Sequence, residues 1–374
     1  MMTLRERILT VYRGETPDVV PFMLDLSHWF YQKNRLPWDI SKAYEQPEYA
    51  LIDYHTQVGA GFYVPNLGSF YSAAYADDVQ AETLKDERGP RPEISWRLTT
   101  PLGGIERRRV WKPESYSWAI SRWGITTEQD LRVLGYALGS RTFAPRWEKY
   151  HAWDDYVGDT GIVCLLPGYS AVGYLMHYWM GVERLMYAMA DWPETVHAVV
   201  EQINGNNLQM IDLLATAPGD VAIMGDNFSS DMQPPHFFAE WSRAYYAEAI
   251  RRLHAAGKKV AVHIDGKLRG AIAMLREVGM DCVDAVTPTP MGDLTPAECR
   301  DEAGPDCILS GGVSPDLWYD YVPEETFVAA VKEWLDLKRR SPRLIANAGD
   351  QVPPGAAEER ITLMRELVEE YGRY

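Results

Sequence analysis

An α/β fold, arranged as a (β/α)8 barrel with an inserted segment over its mouth, is what the sequence predicts from three observations. From about residue 158 onward, short apolar runs alternate with longer amphipathic segments. The runs carry no polar alternation, which marks strands buried on both faces in a parallel sheet covered by helices. The length of 374 residues suits one barrel with extra segments, and 46% hydrophobic with 24% charged residues is an ordinary globular composition. Disordered, fibrous and collagen-like classes are thereby excluded.

The strands are expected at GIVCLLPG (161–168), DVAIMGDN (220–227), KKVAVHIDG (258–266), DCVDAVTP (281–288), DCILSGGVS (306–314) and RLIANAGDQ (343–351). Helical periodicity lies between them, near 193–217, 234–256, 268–279, 295–303, 323–340 and 356–372. Proline at the first helical position opens two of these, at Trp192-Pro193-Glu194 and Thr295-Pro296-Ala297. Two upstream runs, VVPFMLDL (19–26) and the weaker GAGFYVPNLG (59–68), bring the strands to the barrel's eight. Residues 69–157 break the rhythm with charge, Trp and Pro, and hold a two-stranded piece around 94–111. They read as an insertion within a single domain spanning 1–374.

Charge and targeting narrow the function. With 37 Lys+Arg against 53 Asp+Glu the formal net charge is -16, and no basic stripe offsets it, so nucleic acid is not an expected partner. The opening MMTLRERILTVYRG mixes charge into its apolar positions, unlike a secretory signal, and no stretch reaches the roughly 18 apolar residues of a membrane span. Four cysteines without a C-x-x-C pair read as reduced thiols, so a cytoplasmic location is expected. Aromatic content is high, at 13 Trp, 22 Tyr and 9 Phe, which implies an apolar pocket or partner-facing patches.

Polar residues gather at the C-terminal ends of the expected strands, where a barrel keeps its chemistry. They are Asp25 and His28, Asn66, Tyr169, Asp226 and Asn227, His263 and Asp265, Thr287, and Asp350. Any one of them, Asn66 and Thr287 especially, has an ordinary reading as a cap or turn. In His263-Ile264-Asp265 the alternation of a strand sends both polar side chains to one side. With Asp350 from the last strand they form a candidate set for a divalent metal, or else a hydrogen-bonded polar network without one. Asp226 is either a general acid/base or a structural carboxylate capping the following loop. Trp29, Phe30, Tyr31, Tyr169, Tyr174, Tyr178 and Trp179 are either core or the wall of a pocket for a flat ligand. Arg107-Arg108-Arg109 reads as a solvated strand face or an anion contact, and Gly311-Gly312 as a weak phosphate site. Nucleophile-elbow, Walker A and dinucleotide-binding motifs do not occur.

Several segments, in order, resemble the uroporphyrinogen decarboxylase superfamily. They are TTPLGGIERR, ITTEQDLRVL, GDNFSSDMQPPHFFAEWSRAYYAEAIRRLHAAGKKVAVHIDG, DAVTPTPMGDLTPAECRDEAG, ILSGGV and ANAGDQVPPGAAEERI. The resemblance spans about residues 4–372 and implies a (β/α)8 barrel with a deep cleft at its C-terminal mouth. The superfamily holds cofactor-independent decarboxylases and zinc methyltransferases that exchange methyl groups with corrinoid proteins or thiols. The decarboxylases carry an N-terminal arginine-rich stretch for tetrapyrrole carboxylates, whereas here the place reads PFMLDLSHWFYQ. The methyltransferases hold zinc through His-x-Cys and a later Cys, and these positions become His263, Asp265 and Asp350. Both soft ligands are replaced by hard ones, so zinc faces competition from Mn and Fe.

The resemblance therefore implies metal-assisted methyl transfer between a small substrate, such as an aromatic methyl ether, and a corrinoid on a partner protein. Asp226 would orient substrate or exchange a proton, and Trp29, Tyr169, Tyr178 and Asn227 would line the substrate pocket. The alternative is a decarboxylase or lyase of a smaller substrate, with Asp226 or Asp25 stabilising a protonated intermediate and His28 donating the proton. A non-catalytic binder that kept the barrel is a third reading. The acid balance disfavours a polyanionic tetrapyrrole and suits a neutral or weakly polar substrate. Rings of the insertion (Trp96, Trp111, Tyr116, Trp118, Trp123) are expected to cover the mouth or meet a second subunit in a homodimer.

Overall fold

The computed structural model describes residues 2–35, 47–64 and 70–374. Asn66 and the end of the 59–68 run lie outside the described residues. The strands are β1 (Tyr71–Ala74), β2 (Gln80–Asp86), β3 (Glu93–Thr100), β4 (Gly103–Lys112), β5 (Ser117–Arg122), β6 (Thr142–Pro145), β7 (Val221–Phe228), β8 (Lys259–Ile264), β9 (Cys282–Val286), β10 (Ile308–Val313) and β11 (Leu344–Ala348).

The last five form one parallel sheet in the order β11-β10-β9-β8-β7. All residues of β9, β10 and β11 are buried. This is why the apolar runs read so clearly: strands covered on both faces have no polar positions to alternate with. Single parallel bridges extend the pattern at both edges, from Phe22 to Ala346, Met23 to Gly61, Phe62 to Gly161 and Leu165 to Ala222. Backbone bonds accompany them, including Ala346 N to Pro21 O and Ile223 N to Leu165 O, each 2.8 Å.

The helices that follow these strands match the expected periodic segments: Pro193–Ala215, Ala271–Glu277, Pro296–Ala303, Glu324–Asp336 and Glu358–Tyr371. The segment expected at 234–256 is two helices, Pro235–Trp241 and Arg243–Ala255, broken at Ser242. At Pro296–Ala303 the start signal is explicit, because Thr295 accepts from Glu298 N while Glu298 bonds back to Thr295 N. No helix among the described residues is long and apolar enough to cross a membrane. The four cysteines are buried and free.

The insertion differs from expectation. It contains a four-stranded antiparallel sheet, β2-β3-β4-β5, rather than two strands, and β1 pairs antiparallel with β6. Six of the seven residues of β2 are exposed, so its sequence carries no apolar alternation. Pairing with β3 along its whole length holds it instead.

Gly311 and Gly312 sit buried inside β10 and are not an anion-binding loop. A Cβ at Gly312 (φ +126°) would lie 2.1 Å from the Trp334 ring, and one at Gly311 would lie 2.4 Å from Val286 O. The pair is there for close packing of helix Glu324–Asp336 and of β9. Gly312→Ala should therefore cost roughly 2–5 kcal/mol, read as a lowered denaturant midpoint. A change within ~0.5 kcal/mol would contradict this packing.

His55, on helix Tyr49–Val58, is buried, 3.1 Å from Ala60 O and edge-on to Phe62. Burial lowers its pKa from 6.5 to about 4, although the Ala60 carbonyl pulls the other way. The unfolded chain thus binds a proton that the folded chain refuses. Stability from this group is complete above pH 6.5 and falls as pH drops towards 4, by roughly 3 kcal/mol at most. Thermal midpoints of His55→Gln should accordingly fall less steeply than wild type across that window.

Candidate active site

The parallel register sets the centre of the site. β8 pairs with β9 so that His263 stands opposite Asp284. His263 Nδ1 lies 3.2 Å from Asp284 Oδ2, and Ser310 Oγ on β10 donates to Asp284 Oδ1 at 3.2 Å. Asn347 Nδ2 on β11 donates to Ser310 Oγ and to the Tyr63 hydroxyl, each at 3.3 Å. A polar row thus runs across four adjacent strands, from Asn347 on β11 to the imidazole on β8. The contact to Asp284 through Nδ1 leaves Nε2 as the remaining ring nitrogen.

Electrostatics follow from burial and neighbours. Burial disfavours the imidazolium, but Asp284, with Asp350 and Asp265 adding to it, raises the His263 pKa from 6.5 to about 9. Burial raises Asp350 to about 6, with Asp265 adding and His263 opposing.

Two adjoining chambers open at these strand ends. The first, of about 480 Å³, is lined by Asp25, Tyr63, Tyr71, Arg141, Phe143, Tyr174 and Asp284 among others. The second, of about 530 Å³, takes His28, Trp96, Arg107, Arg109, Trp118, His177 and Asp265 from its own side. Tyr169, Tyr178, Asn227, His263, Asp350 and Gln351 line both.

The expected site residues separate accordingly. Tyr169, Tyr178, Asn227, His263 and Asp350 come together where the chambers join, and the Tyr169 hydroxyl donates to Asn227 Oδ1 at 3.0 Å. Asn227, within β7, is held at φ 45°, a left-handed setting that is uncommon for a non-glycine residue. Asp25 lines the first chamber and accepts from Ser27 N (2.9 Å) and Ser27 Oγ (2.6 Å). Asp265 and His28 line the second, His28 Nε2 lying 2.6 Å from Tyr116 O.

Two residues stand elsewhere. Trp29 is buried in the core with its Nε1 donating to Ala356 O at 2.9 Å, and it lines neither chamber. Asp226 is fully buried and lines neither chamber. Its carboxylate accepts from Ser170 N at 2.7 Å and from Ser170 Oγ, and it packs against Gly173, where a Cβ would lie 2.4 Å from it. Burial pushes its carboxyl up and the Ser170 donors pull it back. The geometry is that of a positioning group, which ties β7 to the start of helix Ala171–Tyr174 and so places the Tyr169 loop.

The family model for uroporphyrinogen decarboxylase (URO-D) matches residues 168–371. The chain belongs to the uroporphyrinogen decarboxylase family. No curated protein matches it. A methyltransferase from Methanosarcina mazei is similar in structure, with a TM-score of 0.63 and 13% identity, over 99% of this chain and 99% of that one. That likeness shows the fold. A structure of the tandem GH20 catalytic modules of a pneumococcal exo-beta-D-N-acetylglucosaminidase covers 60% of this chain and 64% of its own, at 9% identity. Its TM-score is 0.30.

For this URO-D family chain, sequence reasoning missed Asp284, Ser310, Tyr63, His177 and the inward role of Arg107 and Arg109. Asp284 was legible in principle, since DCVDAV puts it two residues from a buried Cys on a strand whose pleat faces His263. Ser310 and Asn347 sit in apolar runs, and only the strand pairing shows which buried face they share. His263, Asp265 and Asp350 suit a divalent metal by donor kind, and the Asp284 contact to His263 is the kind of outer partner that metal-binding imidazoles keep. Among the described residues, however, no three His, Cys, Asp or Glu side chains are gathered as a ready metal group.

The Asp226 geometry makes a stability prediction. Ser170→Ala removes one donor from a fully buried carboxylate and the cap on Gly173 N, so it should cost roughly 2–3 kcal/mol in denaturant unfolding. An unchanged midpoint would mean that Asp226 does not depend on this loop.

Proposed function

We propose that this chain is a methyltransferase-like enzyme of its family, moving a methyl group between a small substrate and a corrinoid carried on a partner protein. The observation that supports it best is the pair of chambers meeting at His263 and Asp350. Two separate reactants can then approach one polar centre from two sides. In this reading the bridges from Phe22 through Gly61 and Gly161 to Ala222 close the parallel sheet into a (β/α)8 barrel, with the insertion over its mouth in a single domain.

The first chamber takes the methylated substrate. Its aromatic walls (Tyr63, Tyr169, Tyr174, Tyr178) exclude water and suit an aryl methyl ether. The Tyr169–Asn227 bond orients the polar edge of the ligand. When the methyl group departs, the substrate oxygen keeps the bonding electron pair and takes up a proton. Asp25, which lines this chamber, would exchange it. A divalent ion, zinc or in its place Mn or Fe, would be held by His263, Asp265 and Asp350 and would supply Lewis acidity towards that oxygen. Asp226 acts through the Tyr169 loop and is not assigned a proton transfer.

Decarboxylation or lyase chemistry on a smaller substrate is the second reading, favoured by Arg107 and Arg109 in the second chamber. There Asp25 would stabilise a protonated intermediate and His28 would supply the proton.

Elemental analysis of purified protein separates the two. One divalent ion per chain, lost in His263→Ala together with a roughly 100-fold or greater fall in methyl transfer from a methoxybenzene to free cob(I)alamin, is the expected result. A metal-free protein that releases carbon dioxide from a small acid would replace this reading with the second.

A further inference from the structure

Arg107 is the least compensated charge at the site. It is 7% exposed, its Nε and Nη1 are buried without a hydrogen-bond partner, and among the described residues it makes no ion pair. Its neighbours are aromatic faces: the guanidinium lies 4.0 Å from the Trp96 ring centroid, 5.2 Å from Tyr178 and 5.3 Å from Trp179. Arg109, two residues on and therefore on the same face of β4, lies 5.0 Å from Tyr178, and its Nε is also buried and unpartnered. Arg108 between them faces the other way and is paired with Glu93 and Glu106 at 3.2 and 3.1 Å.

In a chain of net charge -16, acidic partners are abundant, and Arg108 has two. The arginines on its flanks have none, yet they line the second chamber beside His177, whose Nε2 is likewise buried without a partner. A buried cation with no counter-ion is costly to the folded state unless a ligand completes it, and stacking on rings offsets only part of that cost. Arginine presents planar N–H forks that match a carboxylate in two parallel hydrogen bonds. Asp265 and Asp350 share the chamber and would repel a dianion such as phosphate far more than a monoanion.

We propose that the second chamber is a carboxylate-binding site, in which Arg107 and Arg109 hold the acid group of a flat carboxylic acid against Trp96 and Tyr178. The site lies about the shared residues His263 and Asp350, so the carboxylate is a handle that presents the rest of the ligand to the polar centre. Under methyl transfer the acid group belongs to the substrate itself, which then reaches from the first chamber past the shared residues into the second; the binding test is separate from either reaction.

Benzoate and its uncharged isostere benzamide test it by titration calorimetry, with tryptophan fluorescence as a second readout from Trp96. Wild type should bind benzoate at least about tenfold more tightly than benzamide, the size expected of a charge-assisted contact in a dry site. Arg107→Gln and Arg109→Gln should each remove most of that preference, weakening benzoate far more than benzamide. The wild-type comparison needs no variant, so a folding failure in either variant leaves the test intact. Equal binding of the two probes by wild type, or full benzoate affinity in both variants, would overturn the proposal. Displacement of benzoate by equimolar inorganic phosphate would overturn the choice of a carboxylate.

Discussion

The parallel pairing of β8 with β9 is the constraint on which the site depends. It fixes His263 opposite Asp284, and the next two strands add Ser310 and Asn347 to the same buried row. Parallel ladders make that row possible because their neighbours keep an even spacing and a common direction, so chain ends of like polarity collect on one side. A one-residue slip in β8 would turn His263 away from Asp284 and replace it with an aliphatic neighbour. Everything polar at the junction of the two chambers, including Asp350 on the segment after β11, is placed relative to that imidazole.

Residues between 71 and 143 help to build the walls of both chambers. Strand β4 brings Arg107 and Arg109 to the second chamber, and β3 supplies Trp96 directly opposite Arg107. The short β1–β6 pair sends Tyr71 and Phe143 to the first chamber. The aromatic excess thus divides into three uses. Some rings wall the chambers, as Tyr169, Tyr174 and Tyr178 do. Others, such as Trp29, Trp153 and Trp334, fill the core, and Trp96 and Trp179 stack on a guanidinium. The net acidity of the chain is consequently a poor guide to the potential inside the second chamber, where two cations face the ligand space.

Asp226 illustrates why residue type and position in a motif mislead. It ends an apolar run beside Asn227, as an acid/base group would, and the two are adjacent and indistinguishable by pattern. The pleat separates them: Asn227 faces both chambers while Asp226 turns inward to Ser170 and Gly173. Alternation tells which residues share a face, but not which face meets the cavity.

Five of the six strands expected from residue 158 onward, and most of the helices, were legible in the sequence, because burial on both faces leaves an uninterrupted apolar run and the caps mark helix starts; the run at 161–168 forms only single bridges. So were His263, Asp350, Tyr169, Tyr178 and Asn227, which stand at the ends of those runs. The exposed strands of the insertion were not, since a strand held by backbone pairing alone has no side-chain period. Nor were Asp284, Ser310 and Asn347, whose partners come from other strands. The inward turn of Arg107 and Arg109, against the outward turn of Arg108, was decided only when β3 and β4 paired and packed on Tyr178 and Trp179. Local pattern records what a residue's own segment requires, and these residues answer to neighbours far away in the chain.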